Sequence, residues 1–336
     1  MKILRALALP LALAASGLYD EPLPASRPIR EAQWKQMMAY ADALPRRGWP
    51  KARDGSAMEA LKARMGYPPP AFHSSVALRL SKIGEDGAAE YHRLYATVAP
   101  GLEAYGLYIL PKRSRRPMPI VISQHGGGGF PEVAIFDGGR NYHDMIRGAV
   151  AAGYAVYAPL HIQRPNVERD TTPIPENAQQ DLNTRLKPKG TILLAVEVAR
   201  VTRVLDELLK RPEIDAARVG MIGLSYGGYA TMITAAIEPR IRVLANSCSF
   251  RGTRDRGPAP RDPELIPFVL PRPLHIHAGL NDKTALVDDI RTAAAEARKV
   301  YHAAGSGEVF EYFEFDGVHE FKGELVWPWL RKHFGR

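Results

Sequence analysis

Apolar residues along the 336-residue chain gather into short unbroken runs, separated by stretches in which they recur at helical spacing. Runs at 118–124, 154–160, 219–224, 243–248 and 274–279 have the length and composition of strands buried on both faces. Segments 142–152, 191–210, 229–237, 286–302 and 320–334 carry the i, i+3, i+4 spacing of helices packed on one face. A last strand is predicted at 309–315. Earlier, 90–98 and 104–110 read as two antiparallel strands joined by Pro100-Gly101. Strands alternating with helices predict an α/β fold, a mostly parallel central sheet covered by helices on both faces.

Ahead of that alternation, 31–44 and 56–65 carry helical spacing, broken by Trp49-Pro50 and by Tyr67-Pro68-Pro69-Pro70. They form an N-terminal helical extension expected to pack against the sheet. Lys2 and Arg5 precede an uncharged apolar run that ends in Ala12-Leu13-Ala14, the layout of a secretory signal peptide. The run is too short to span a bilayer as a helix. The expected division is therefore a signal peptide at 1–15, linker and helical extension at 16–89, and a catalytic domain at 90–336. The expected location is secreted or periplasmic, with no stable membrane insertion once the signal is cleaved.

Composition narrows the picture only a little. A formal charge of +9 is a mild excess on this length, and the sequence carries no nucleic-acid-binding motif. The single cysteine, Cys248, ends an apolar run and reads as a small core residue; one cysteine permits no intrachain disulfide. No internal repeat stands out. Two polar, proline-containing segments, 161–190 and 249–271, are long for plain connections. Both follow predicted strands, as do the two glycine-rich stretches, and in open α/β sheets the site lies beyond the carboxyl ends of the strands.

The chemistry centres on Gly223-Leu224-Ser225-Tyr226-Gly227, which follows a buried strand and opens an apolar helix. Gly-x-Ser-x-Gly in the context strand, turn, helix is a nucleophile elbow. Glycines flank the serine because a Cβ at either position would crowd the neighbouring strand or helix. With the further Gly228 and Tyr229, the stretch resembles serine hydrolases of the α/β-hydrolase superfamily. The likeness is greatest to the prolyl oligopeptidase, dienelactone hydrolase and acetylxylan esterase branches, over roughly residues 90 to 336. The resemblance implies that Ser225 is a nucleophile, followed in chain order by an acid and a histidine base.

The remaining parts occur in that order. His125-Gly126-Gly127-Gly128 follows a predicted strand and has the form of the run that supplies part of an oxyanion hole. Gly127 and Gly128 are the candidate donors, with the N–H of Tyr226 as the second arm. It lacks the Lys-Ser/Thr of a phosphate-binding loop and the spacing of a dinucleotide fingerprint. Asp282 ends the strand 274–279 in a turn and matches the family position of the acid; Asp288, inside the next predicted helix, is the second candidate. His319 lies after the last strand and matches the base. His275 and His277 share one face of a strand, where core roles fit better than a metal site, since no partner stands at a familiar ligand spacing. His161, Arg251 and Arg254 open or line the two long segments and are candidate substrate contacts. Arg256 falls in the same stretch.

These parts imply a serine carboxylic-ester hydrolase acting through an acyl-enzyme, with no metal and no cofactor. The resemblance points to small, acetyl-type acyl groups on carbohydrates or other alcohols. Glucuronoyl esterases carry an Arg after the nucleophile and a Lys further on, where this chain has Tyr226 and Tyr229. Two alternatives stay open: a peptidase of the prolyl oligopeptidase type, and a non-catalytic binding protein on the same fold. Neither the exact substrate nor the oligomeric state is legible.

Overall fold

The computed structural model describes residues 22–135, 141–162, 175, 177–253 and 257–335. The expected signal peptide at 1–15 lies outside these residues, as do Arg254 and Arg256. Among the described residues one sheet of nine strands runs in the order β1-β2-β3-β5-β4-β6-β7-β8-β9. The strands are β1 (Leu78–Glu85), β2 (Ala89–Ala99), β3 (Leu102–Pro111), β4 (Met118–Gln124), β5 (Ala155–Pro159), β6 (Ile214–Leu224), β7 (Val243–Ser247), β8 (Leu274–Gly279) and β9 (Phe310–Phe315). The first three pair antiparallel, and β3 meets β5 antiparallel; every pairing from β5 through β4 to β9 is parallel.

Burial follows the sequence pattern. All residues of β4, β5, β7 and β8 are buried, as continuous apolar runs require in a sheet covered on both sides. The helices are α1 (Pro22–Ala43), α2 (Ala57–Met65), α3 (Met145–Ala151), α4 (Ala178–Leu186), α5 (Leu193–Leu208), α6 (Tyr226–Ile237), α7 (Ile266–Val269), α8 (Val287–Ala303) and α9 (Gly323–Phe334). One face of the sheet buries its side chains with α1, α2, α5, α6 and α8. The other buries them with α3 and α9, through residues such as Ile146, Trp329 and Phe334.

Several boundaries differ from the expected ones. The sheet begins at Leu78, ahead of the expected start at Glu90, because β1 alternates exposed and half-buried positions and carries no apolar run. Helix α1 starts at Pro22, inside the stretch read as a linker; proline is tolerated in a first turn, whose N–H groups have no helical partner. The extension is part of the core rather than an appendage, since Trp34, Met37, Tyr40 and Ala41 are buried in the main cluster. Segment 161–190 contains α4, and 249–271 contains α7.

A buried arginine ties the extension down. Arg200 on α5 donates to the carbonyls of Leu160 (3.3 Å) and Glu103 (3.0 Å) and to the side chain of Gln33 on α1. One guanidinium thus joins α1, β3, the end of β5 and α5.

Candidate active site

Each candidate side chain follows one of four adjacent parallel strands. Ser225 stands between β6 and α6, Cys248 follows β7, Asp282 follows β8, and His319 follows β9. The parallel register therefore brings them to one edge. The Ser225 N–H donates to Ser247 O at 2.8 Å and the Cys248 N–H to His277 O at 2.8 Å, so the strand ends remain laced together up to the turn.

Ser225 has φ 60° and ψ −123°, a conformation that L residues with a side chain rarely adopt. The elbow glycines make it possible. A Cβ on Gly223 would lie 2.2 Å from Gly227 C and O, and one on Gly227 would lie 2.1 Å from Gln124 O. A Cβ on Gly228 would meet the Asn246 and Ser249 side chains at 2.8–3.0 Å. The turn is packed against β4 and β7 so closely that only glycine fits.

Asp282 and His319 are joined directly. His319 Nδ1 lies 2.6 Å from Asp282 Oδ2. The other carboxylate oxygen, Oδ1, accepts the N–H groups of Thr284 (2.7 Å) and Ala285 (2.9 Å). Burial raises the pKa of Asp282, but the bond to His319 and those from the backbone outweigh it, and the net shift is downward. An ionised acceptor at Oδ2 fixes the tautomer with the proton on Nδ1, leaving Nε2 able to accept. Asp288 sits on α8 with its side chain 85% exposed and paired to Arg291, far from this arrangement in role. Among the described residues Ser225 Oγ makes no hydrogen bond to His319; such contacts commonly tighten only when substrate is bound.

Cys248 was expected in the core, and it is fully buried, but it lies beside Asp282 and His319. Its sulfur, one Asp282 oxygen and a His319 nitrogen all lie within 4.8 Å of one another. Burial pushes the thiol pKa up to about 12, so Cys248 stands there as a neutral thiol, donating to Glu320 O at 3.4 Å.

The glycine run lies across from the serine. A Cβ on Gly126 would be 3.2 Å from Ser225 Cβ. The Gly126 N–H is taken by Tyr142 Oη at 2.8 Å, and Gly129 N–H closes a turn onto Gly126 O at 3.0 Å. Gly127 and Gly128 are partly exposed, Gly128 at φ 75°, and their N–H groups donate to no described residue. Tyr226 is the first residue of α6, where the helix supplies no acceptor for its N–H and where the dipole favours negative charge.

Behind this edge lie groups the sequence could not sort. His161 is not in an open pocket: its side chain is 1% exposed, edge-on to His125 and Tyr226, with Nδ1 3.5 Å from Glu197 Oε2. Burial holds its pKa well below the ordinary value and brings that of His125 down to about 4, so both are neutral. Glu197, fully buried on α5, had no motif to reveal it. Arg251 is half-buried, and its guanidinium donates to Thr284 O at 3.3 Å, which ties segment 249–271 to the turn that holds Asp282. His275 and His277 are buried among Phe313, Phe315, Phe321 and Trp329, and bond each other at 3.1 Å. The two long segments meet over Tyr226 and Tyr229, enclosing a cavity of about 60 Å³ lined also by Gln179, Asn183, Lys187 and Pro258.

The acetyl xylan esterase (AXE1) family matches residues 71–256, more than half of the chain, including the glycine run and the elbow. The chain belongs to that family. The match ends before Asp282 and His319, which therefore rest on the geometry above. The hydrolase YtaP of Bacillus subtilis (strain 168), a provisional assignment, is 25% identical over 159 residues, 44% of this chain and 48% of its own length. The match thus spans about half of that curated relative. Among solved structures, a protein of Bacteroides fragilis provisionally described as an acetyl xylan esterase superposes with TM-score 0.64 at 16% identity, covering 90% of this chain and 89% of its own. A glucuronoyl esterase from Solibacter usitatus gives 0.58 at 15%, with coverage of 89% and 91%. Acetyl xylan esterase 1 from Thermoanaerobacterium sp. JW/SL YS485 gives 0.56 at 16%, with coverage of 88% and 98%. These likenesses establish the α/β-hydrolase fold expected from the alternation of strands and helices. No helix among the described residues is long and apolar enough to cross a membrane.

Proposed function

We propose that this chain of the acetyl xylan esterase family is a serine hydrolase that cleaves small acyl esters of carbohydrates or related alcohols through an acyl-enzyme. The observation that carries the reading is the bond between His319 Nδ1 and Asp282 Oδ2, on the same sheet edge as a serine held in a strained elbow. In this reading His319 Nε2 takes the proton of Ser225 as the hydroxyl attacks the ester carbonyl, then returns it to the leaving alcohol. Asp282 stays ionised, orients the imidazole and stabilises the imidazolium. The N–H groups of Tyr226 and of Gly127 or Gly128 meet the tetrahedral oxyanion. A donor of this kind lowers the barrier by roughly 3–4 kcal/mol. Water enters by the same route in reverse and frees the acid.

Support for a small acyl group comes from the acetyl xylan esterase family match. Tyr226 and Tyr229 stand where glucuronoyl esterases carry cations, and the Tyr229 hydroxyl is engaged by Pro260 O at 2.7 Å. Neither can neutralise a uronate. A secreted or periplasmic location belongs to the same reading, since a polysaccharide ester is met outside the cytoplasm.

The test is a hydrolysis panel of p-nitrophenyl acetate and longer homologues, acetylated xylo-oligosaccharides, methyl glucuronate esters and aminoacyl anilides. Acetyl esters should be preferred, Ser225→Ala should abolish turnover, and a fluorophosphonate should label Ser225. A preference for anilides would move the chain to the peptidases; labelling that persists in Ser225→Ala would remove the nucleophile.

A further inference from the structure

The first and last of the four glycines at 126–129 stand against one atom, the hydroxyl oxygen of Tyr142. It accepts the Gly126 N–H at 2.8 Å. A Cβ on Gly129 would lie 2.2 Å from it, and one on Gly126 3.3 Å from it. The turn closed by Gly129 N–H onto Gly126 O therefore has the phenol oxygen at its concave side. The ring itself is 5% exposed and packs in the cluster that holds Phe130, Met145 and Ile146.

The residues beside Tyr142 grip the other half of the site. Asn141 O accepts the Phe321 N–H at 2.8 Å, and His143 Nε2 lies 2.5 Å from Glu320 Oε2. Glu320 directly follows His319. The chain holds His143 at φ 45° and Asp144 at φ 54°, two successive non-glycine residues in the left-handed region. Such a pair persists only where surrounding contacts enforce it. Three successive residues thus touch both the glycine run and the loop that bears the histidine.

We propose that Tyr142 is a positioning residue that aims the N–H groups of Gly127 and Gly128 at the oxyanion, with His143–Glu320 locking it to the His319 loop. The proposal rests on the esterase reading above. A run of glycines has no preferred conformation of its own, and Gly128 at φ 75° could relax readily. Stabilisation of an oxyanion depends on donors already aimed before charge develops. A buried phenol oxygen bonded to the first N–H of the run supplies that constraint.

Tyr142→Phe keeps the ring and removes the hydroxyl that accepts the Gly126 N–H. On p-nitrophenyl acetate its kcat should fall about tenfold, less than the hundredfold or more seen when a donor is removed outright, with KM within twofold. The inhibition constant of a small alkyl boronic acid, which forms a tetrahedral anion on the serine, should rise in step with the loss in kcat. Binding of the product alcohol should not move, and the melting temperature should fall by no more than a few degrees, the cost of leaving the buried Gly126 N–H unpaired. Glu320→Gln should lower kcat with the same signature, and the double variant should lose less than the product of the two single losses, because both act on one unit. If Tyr142→Phe does not fold, Glu320→Gln reads the same coupling from the other end. Unchanged kcat in the folded variants would overturn the proposal, as would a loss expressed in KM or one that the boronate inhibition constant does not follow. A wild-type protein that hydrolyses no ester would instead overturn the esterase reading, and boronate affinity would then have no turnover to follow.

Discussion

Ser225→Gly should give a protein that is inactive yet more stable than Ser225→Ala. Both variants lack the hydroxyl, so the comparison isolates the Cβ. At φ 60° and ψ −123° a Cβ crowds its own backbone, at a cost of order 1–3 kcal/mol. Glycine removes that strain but loses more freedom on folding, which takes back about 0.5–1 kcal/mol. The balance favours glycine by about 1 kcal/mol. Urea unfolding followed by circular dichroism measures it as a higher midpoint at unchanged slope. If Ser225→Gly proves less stable than Ser225→Ala, the elbow does not hold its serine under strain. The positive φ would then be no more than a local accommodation at the start of α6.

Two further substitutions probe the same edge. Gly227→Ala places a Cβ 2.1 Å from Gln124 O, a backbone atom that cannot step aside, and should destabilise by about 3 kcal/mol or more, whereas Gly87→Ala, with no atom within 4 Å, should be near neutral in the same denaturation assay. Asp282→Asn should lower kcat steeply by disturbing the imidazole tautomer, and it should also flatten acid unfolding. Because the folded-state pKa of Asp282 lies below its ordinary value, its ionised form contributes stability above the unfolded pKa near 4, and this is lost as pH falls through the lower folded value. The wild type should therefore lose more stability than the variant between about pH 5 and pH 3.

The inner parallel strands β4, β5, β7 and β8 were legible because they are buried on both faces and so appear as apolar runs. Strand β1 was not, since an edge strand with one wet face carries too few apolar residues to stand out, as Leu78, Leu80 and Ile83 are only half-buried. The start of α1 was hidden by its prolines, which suggest a linker; a first turn tolerates Pro22 and Pro24, and Pro28 sits inside the helix. Helix α4 was masked by the polar residues of 161–190, since only Ala178, Leu182 and Leu186 on one side are buried.

The site divides along a physical line. The positions of Ser225, Asp282 and His319 beyond strand ends were legible because each is attached to a strand by glycine-rich or turn-forming sequence; their roles belong to the proposed function. Their surroundings were not legible, because a contact made across strands leaves no mark in local sequence. Cys248 reads as a small apolar residue ending a run; only the parallel pairing of β7 with β8 sets its sulfur beside Asp282 and His319. His161 opens a long polar segment and so suggested a wall of the substrate pocket. The imidazole is instead sealed against His125, Tyr226 and Glu197, neutral at ordinary pH. Tyr142 carries no motif, yet its hydroxyl leaves no room for a Cβ at Gly129, while at Gly126 the elbow presses closest, through Leu224 O at 3.1 Å. Two fixed points, the phenol and the elbow across from it, leave the middle glycines as the part of the run proposed to meet the oxyanion.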